Sequence, residues 1–350
     1  MMRHFAFKQP TPWVPPEGTM AITTLDMHTG GEPLRIITGG LPGLPGNTIL
    51  EKRKYIKENL DQYRKILMWE PRGHTDMYGC IITDPISEGS DFGVIFLHNE
   101  GYSTMCGHGI IAVTKAVIDY GVIPMVKPVT EVKIDSPAGL IKARGFIQDD
   151  KVERVSFMNV PSFVQALDQV IHVEGLGQVH YDLAFGGAFY AYIDATEVNV
   201  SLTSGDLSPL VEKGMAIKRE IMKSVSFHHP FEEDLNFLYG TIFTGKALNK
   251  DADIRNVCVF ADGEVDRSPT GTGVSGRVAI EVARGKMKSG DSITIESIVG
   301  STFKVKVTAL VDFGSYKAVI PEVEGTAFIT GMHTFLVDQN DPLKNGFILR

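Results

Sequence analysis

Cys106 stands in the run Met105-Cys106-Gly107-His108-Gly109, and Ile110, Val113, Val117 and Ile118 recur behind it at helical spacing. A cysteine at a helix start feels the positive end of the macrodipole, which lowers its pKa from a reference of about 8.5. The glycines let a ligand approach the backbone closely and leave the first-turn N–H groups free to hold an anion. Cys106 is therefore the candidate base or nucleophile, and His108 is placed to hydrogen-bond a substrate or to support the thiolate. The bland alternative is a small cysteine buried at an ordinary helix start. A second copy of the turn, Asp266-Arg267-Ser268-Pro269-Thr270-Gly271-Thr272-Gly273, weighs against it. Taken alone, Pro269 and Thr270 there would be simple capping.

Other motifs carry less. Gly271-x-Gly273-x-x-Gly276 matches a dinucleotide-binding pattern, but the preceding strand ends near Phe260, about ten residues too early for a tight strand-to-helix turn. His28-Thr-Gly-Gly-Glu32 resembles a metal or anion loop, yet no second ligand sits at a zinc spacing, so it is read as a structural turn. No metal and no organic cofactor is expected. His228-His229-Pro230 is read as a loop with a solvated or packed imidazole. Cys80 and Cys258 lie within apolar strands and are expected to be inert, and the sequon Asn199-Val-Ser201 is set aside.

The elements that must position the two turns come next. Short β-type runs bounded by glycine fill the first third, at Ile22–Met27, Leu34–Ile37, Thr75–Thr83 and Gly93–Leu97, with one helix over Leu50–Lys65. Further helices are predicted from Cys106 to Gly121, from Ser208 to Ser224 and from Thr270 to Gly285. Strands are predicted between them and on to about Leu336. The order strand, Gly-rich turn, helix, strand pair occurs twice. Downstream of Cys106 comes Ile134-Asp135-Ser136-x-x-Gly139, and downstream of Thr270 comes Ile295-Glu296-Ser297-x-x-Gly300. Each acid follows its turn by 29 (135 − 106) or 26 (296 − 270) residues, which reads as a duplicated unit of about half the chain. Two facing copies would bring both motifs to one interdomain cleft. The expected division is an N-terminal extension over 1–20, a first half over 21–195, a second over 196–335 and a C-terminal segment over 336–350.

Composition narrows the class. A chain of 350 residues exceeds one ordinary core. With 34 basic against 42 acidic side chains the net charge is −8 and the longest basic run is Lys52-Arg53-Lys54, so nucleic acid is not an expected partner. No apolar run reaches the roughly 18–20 residues of a membrane span. Three cysteines, an odd number without CxxC spacing, fit a reducing compartment, and a cytoplasmic location is expected. A small-molecule ligand is expected, and a homodimer is left open.

Three separated motifs in order, Asp26-Met-His-Thr-Gly-Gly-Glu-Pro-Leu-Arg35, Met105-Cys-Gly-His-Gly109 and Asp266-Arg-Ser-Pro-x-Gly-Thr-Gly273, resemble the proline racemase family over about residues 20–340. The resemblance implies an α+β fold similar to diaminopimelate epimerase: two pseudo-symmetric halves, each a barrel-like sheet around a central helix. Racemases of this family carry a cysteine in both turns; here the second is Thr270. Racemisation at Cα needs a base on one face and an acid on the other, and a threonine hydroxyl does not titrate near neutrality. Members with threonine there resemble trans-3-hydroxy-L-proline dehydratases.

In that substrate the hydroxyl and the Cα hydrogen lie on one ring face, both opposite the carboxylate, so Cys106 alone serves that face. The expected product is an enamine that tautomerises to 1-pyrroline-2-carboxylate. By the same resemblance the N–H groups of Gly107, His108, Gly271 and Thr272 hold the carboxylate, and Asp266 binds the ring ammonium. The alternatives are a proline or 4-hydroxyproline epimerase using water in place of the second thiol, a cysteine hydrolase with His108 as base, and a non-catalytic amino-acid binding protein. The hydrolase is disfavoured because residues two apart at a helix start are expected to point in different directions.

Overall fold

The structure is a computed structural model that describes Pro15 and residues 17–205 and 207–349. The chain opens with β1 (Met20–Thr29) and β2 (Glu32–Gly39), then α1 (Ile49–Asn59) and α2 (Asp61–Met68), then β3 (Tyr78–Thr83) and β4 (Phe92–His98). Helix α3 (Gly107–Asp119) leads to β5 (Val129–Ser136), β6 (Gly139–Gln148) and β7 (Lys151–Met158). Next come β8 (Ser162–Val173), β9 (Gly177–Phe185), β10 (Phe189–Asp194), α4 (Leu207–Ser224), β11 (Leu238–Lys246), β12 (Ile254–Phe260) and the short β13 (Glu264–Val265). Helix α5 (Gly271–Ala283) then precedes β14 (Ser292–Glu296), β15 (Thr302–Phe313), β16 (Tyr316–Gly325) and β17 (Ala327–Val337).

Helices α3 and α5 are buried almost all round, as their apolar sequences require of helices enclosed by sheet. Five branched aliphatics of α3 (Ile110, Ile111, Val113, Val117 and Ile118) are each at most 2% exposed, and each such burial contributes roughly 1.5–3 kcal/mol. Strands β1, β2, β6, β7, β16 and β17 pack on α3, and β8, β9, β10, β15 and β16 pack on α5. These two helices carry the candidate turns, so the strands around them fix where the turns meet. Among the described residues no helix is long and apolar enough to cross a membrane.

The repeated acids have a structural meaning. Asp135 pairs with Gly93 across the parallel β4–β5 ladder, and Glu296 pairs with Arg255 across the parallel β12–β14 ladder. The Asp135 carboxylate accepts the N–H groups of Ile86 and Ser87, and the Glu296 carboxylate accepts those of Leu248 and Asn249. Burial opposes ionisation of both, yet the Ser87 and Ser90 hydroxyls and then these N–H groups at Asp135, and Arg255 and then these N–H groups at Glu296, hold both below the usual carboxylate range. The matching motifs tie down matching loops and do not reach the candidate site.

One predicted element divides. The helix expected over residues 50–65 is two helices broken at Leu60, whose φ of −133° lies outside the helical range. The break lets α1 bury Ile49 and Ile56 while α2 turns Ile66, Leu67 and Met68 inward.

Candidate active site

The starts of α3 and α5 meet backbone to backbone. A Cβ placed on Gly107 would lie 2.6 Å from the Cα of Gly271, so no side chain fits at either position. The first intrahelical donors are Ile110, to the Cys106 carbonyl, and Val274, to the Thr270 carbonyl. The N–H groups of Gly107, His108, Gly271 and Thr272 lie ahead of them and have no intrahelical acceptor. Two positive helix ends thus converge on one point. All seven residues singled out in the two turns (Cys106, Gly107, His108, Asp266, Thr270, Gly271 and Thr272) line one tight cavity of about 20 Å³, together with Tyr78, Tyr190 and Tyr239. A larger cavity of about 450 Å³ beside Leu41–Leu44 has neither cysteine nor histidine in its lining, so its size does not make it the chemical centre.

Cys106 caps α3: its Sγ accepts the Gly109 N–H at 3.2 Å. The expectation of a lowered thiol pKa is overturned. Burial pushes Cys106 well above the usual thiol range; the Gly109 N–H and the Tyr78 hydroxyl beside it pull it back, while the charges of Asp266 and Glu32 push it further up. The residue is 4% exposed, and desolvation of a thiolate outweighs a helix end worth about 0.3–1 kcal/mol. Burial therefore opposes the Cys106 anion, and the Gly109 N–H and the Tyr78 hydroxyl favour it.

The expectation that Cys106 and His108 diverge is overturned as well. Sγ lies 3.2 Å from His108 Nδ1. Cys106 has φ −144° and ψ 105°, outside the helix, so its side chain folds back over the first turn rather than following the helical wheel. Burial lowers the His108 pKa, with Asp266 opposing, and the ring meets Tyr78 edge-on with centroids 4.8 Å apart.

Across the cavity Thr270 caps α5 in the left-handed region, at φ 68°. Its hydroxyl is buried beside the Cys258 thiol and has no hydrogen-bond partner among the described residues. Cys258 is thus a neighbour of the site and not only a core residue, while burial alone pushes Cys80 up. The Thr272 hydroxyl bonds the Tyr190 hydroxyl at 2.7 Å. Asp266, buried at the cavity wall, accepts the Ser268 N–H at 2.8 Å.

The profile of the proline racemase family matches residues 24–348 of this chain. The chain belongs to the proline racemase family. It is 49% identical over 344 residues to the trans-3-hydroxy-L-proline dehydratase of Colwellia psychrerythraea, covering 98% of this chain and 97% of that protein. It is 45% identical over 332 residues to the 3-hydroxyproline 2-epimerase of Burkholderia multivorans, covering 94% of this chain and 98% of that protein. Among solved structures, a hydroxyproline epimerase from Agrobacterium vitis with bound trans-4-hydroxy-L-proline superposes with a TM-score of 0.89 at 33% identity, covering 94% of this chain and 95% of that one. The sheet-rich architecture with few helices is therefore proline racemase-like.

Within this family frame, the sequence reading missed Glu32 and the tyrosines. Gly30 and Gly31, at φ 60° and 93°, do make the turn expected of His28–Glu32, closed by the Gly31 N–H donating to His28 Nδ1. Glu32 itself is 1% exposed and accepts the Arg267 N–H at 2.7 Å, which ties the first motif to the loop carrying Asp266. Burial, then the Asp266 charge, push the Glu32 carboxyl well above its usual range, with Arg267 opposing. The one sequence signal for it was the position of an acid directly after two glycines. Tyr78 opens β3 and bonds the Ser103 hydroxyl, Tyr190 opens onto the cavity from β10, and Tyr239 stacks on Phe260 at 5.4 Å. Among the described residues no group of three or more His, Cys, Asp or Glu is placed to hold a metal. His229, from the pair read as a loop, packs on Phe185 with centroids 4.9 Å apart.

Proposed function

We propose that this chain dehydrates trans-3-hydroxy-L-proline to 1-pyrroline-2-carboxylate. The observation that carries the reading is chemical asymmetry at the joined helix starts: a thiol, Cys106, on one side of the cavity and only a hydroxyl, Thr270, on the other. The dehydratase from Colwellia psychrerythraea, which shares about half of its residues with this chain, supports it. The substrate carboxylate sits against the N–H groups of Gly107, His108, Gly271 and Thr272, and Asp266 faces the ring ammonium. Cys106 removes the Cα proton and the hydroxyl departs from the same ring face. A base on one face cannot reprotonate the other, so elimination wins over epimerisation. The test is incubation with the isomers of hydroxyproline. Imine formation from the trans-3-L isomer alone is the expected result, and loss of optical rotation without imine would mean an epimerase.

The reading also takes the fold as two pseudo-symmetric halves around α3 and α5 with the site in the cleft between them. We divide them near residue 160, earlier than the boundary at 195 expected from the sequence, because β8–β10 pack on α5 and β10 pairs with β11. β17 returns to β1 and so belongs with the first half. The parallel ladders β4–β5 and β12–β14, each with an acid at the matching register, support the duplication.

Two variants probe the roles. Asp266→Asn removes a charge-assisted contact, and the expected loss is about 1.5–3 kcal/mol in substrate affinity. It has a second signature with a definite sign. The Asp266 charge raises the Cys106 pKa, and the base must be deprotonated, so the rising limb of kcat/KM against pH moves to lower pH in the variant. An unchanged KM with an unmoved limb would remove Asp266 from the site. Thr270→Cys restores a second thiol and is expected to yield Cα epimerisation of L-proline in deuterium oxide. It is best made with Cys258→Ser, because the new thiol would lie beside Cys258. Exchange with retention only would show that the new thiol does not reach the opposite face.

A further inference from the structure

Elimination leaves a chemical gap in this site. A hydroxide ion is a poor leaving group, so the oxygen at C3 needs a proton as the C–O bond breaks. That proton must arrive on the ring face that Cys106 serves. His108 Nδ1 already engages the sulfur at 3.2 Å. The Tyr190 hydroxyl is committed to Thr272 at the start of the other helix. The Asp266 carboxylate is an acceptor, occupied by the Ser268 N–H. Tyr78 is hydrogen-bonded too, but it is the hydroxyl that stands against the Cys106 sulfur. Its hydroxyl lines the cavity on the Cys106 side, its ring abuts His108, and a hydrogen bond to the buried Ser103 hydroxyl fixes its direction. It is 3% exposed, so bulk water does not compete for its proton.

We propose that Tyr78 is the proton donor to the departing 3-hydroxyl, and that it is recharged by the proton Cys106 takes from Cα. The inference rests on the dehydratase reading above. The Cys106 thiolate takes the Cα proton, and the pair released from the Cα–H bond forms the Cα=C3 bond. As the C3–O bond breaks, Tyr78 gives its phenolic proton to the oxygen, and water departs. The phenolate then takes the proton from the Cys106 thiol, which restores phenol and thiolate. One proton leaves carbon, one reaches oxygen, and neither comes from solvent. A residue that both donates and accepts at one atom suits this relay, which the Ser103 hydroxyl alone, behind Tyr78, does not reach.

The test separates proton donation from packing by changing the leaving group. Tyr78→Phe is assayed with trans-3-hydroxy-L-proline, with trans-3-fluoro-L-proline, whose fluoride departs without a proton, and for Cα–H exchange of L-proline in deuterium oxide. The expected result is a hydroxy-to-fluoro rate ratio lower by about 10²-fold or more, while fluoride elimination and exchange fall together only by what the lost Tyr78 hydrogen bond costs Cys106 as a base. An equal fall with both leaving groups, or no fall with either, overturns the proposal. Should Tyr78→Phe fail to fold, Ser103→Ala, which frees the phenol, is expected to lower the hydroxy-to-fluoro rate ratio, and an unchanged ratio overturns it. Failure of the wild type to eliminate water or fluoride at all would instead refute the dehydratase reading itself.

Discussion

Cys106→Ser abolishes turnover, with kcat/KM down on the order of 10³–10⁴-fold, and leaves the fold intact. The two parts of this expectation rest on different observations. Serine is among the preferred helix caps, and its hydroxyl can accept the Gly109 N–H that Sγ now accepts at 3.2 Å. The start of α3 is therefore held as well or better, and Tm should move by no more than about 2–4 °C, the shift that 1 kcal/mol produces in a domain of some 150–250 residues. Chemistry fails because a serine hydroxyl is a weak nucleophile and base at its free pKa and needs an adjacent base to activate it. The His108 ring beside it is the one candidate, and burial already lowers its pKa. Binding of L-proline should persist, because the backbone N–H groups and Asp266 are untouched. A folded variant that keeps more than about a hundredth of wild-type activity would show that Cys106 is not the base.

The two turns were legible in the sequence because their determinants are local. An x-Gly-x-Gly run before a period-3.6 apolar stripe marks a buried helix start in any fold, and both turns do open helices, Cys106 with a side-chain cap bond and Thr270 at the cap position without one. Their convergence followed from the repeat. The acids Asp135 and Glu296 each accept backbone N–H groups of a loop, that of Ser87 at Asp135 and that of Asn249 at Glu296. What was not legible depends on contacts far apart in sequence or on the environment of a side chain. The helix dipole at Cys106 is a local property, but the desolvation that overrides it comes from walls contributed by Tyr78, Tyr239 and Phe260. The thiol–imidazole contact turns on the non-helical dihedrals of one capping residue. Glu32 meets Arg267 across 235 residues, and nothing beside Glu32 in the chain announces that meeting. Tyr78 looks like any aromatic at a strand start until Ser103 is seen to hold its hydroxyl.

Gly271→Ala is expected to damage both stability and turnover, which makes it the sharpest probe of how the two helix starts hold one anion. The added Cβ would lie 2.6 Å from the Gly107 Cα, with the Gly107 carbonyl carbon and nitrogen at 3.2 and 3.3 Å. All three atoms are backbone, so no rotamer change relieves the contact and one helix start must move. Intrinsic helix propensity acts in the opposite direction, favouring alanine over glycine by up to about 1 kcal/mol inside a helix. Overpacking of a tight interior costs roughly 1–3 kcal/mol, so the contact is expected to win and Tm to fall. Catalysis should suffer more than stability. Moving α5 away from α3 displaces the Gly271 and Thr272 N–H groups from those of Gly107 and His108, and a 1 Å misplacement costs about 10²-fold in rate. Gly101→Ala provides the control, since its Cβ would meet nothing within 4 Å. If Gly271→Ala matched Gly101→Ala in both Tm and kcat/KM, the close approach of the helices would not be what builds the site.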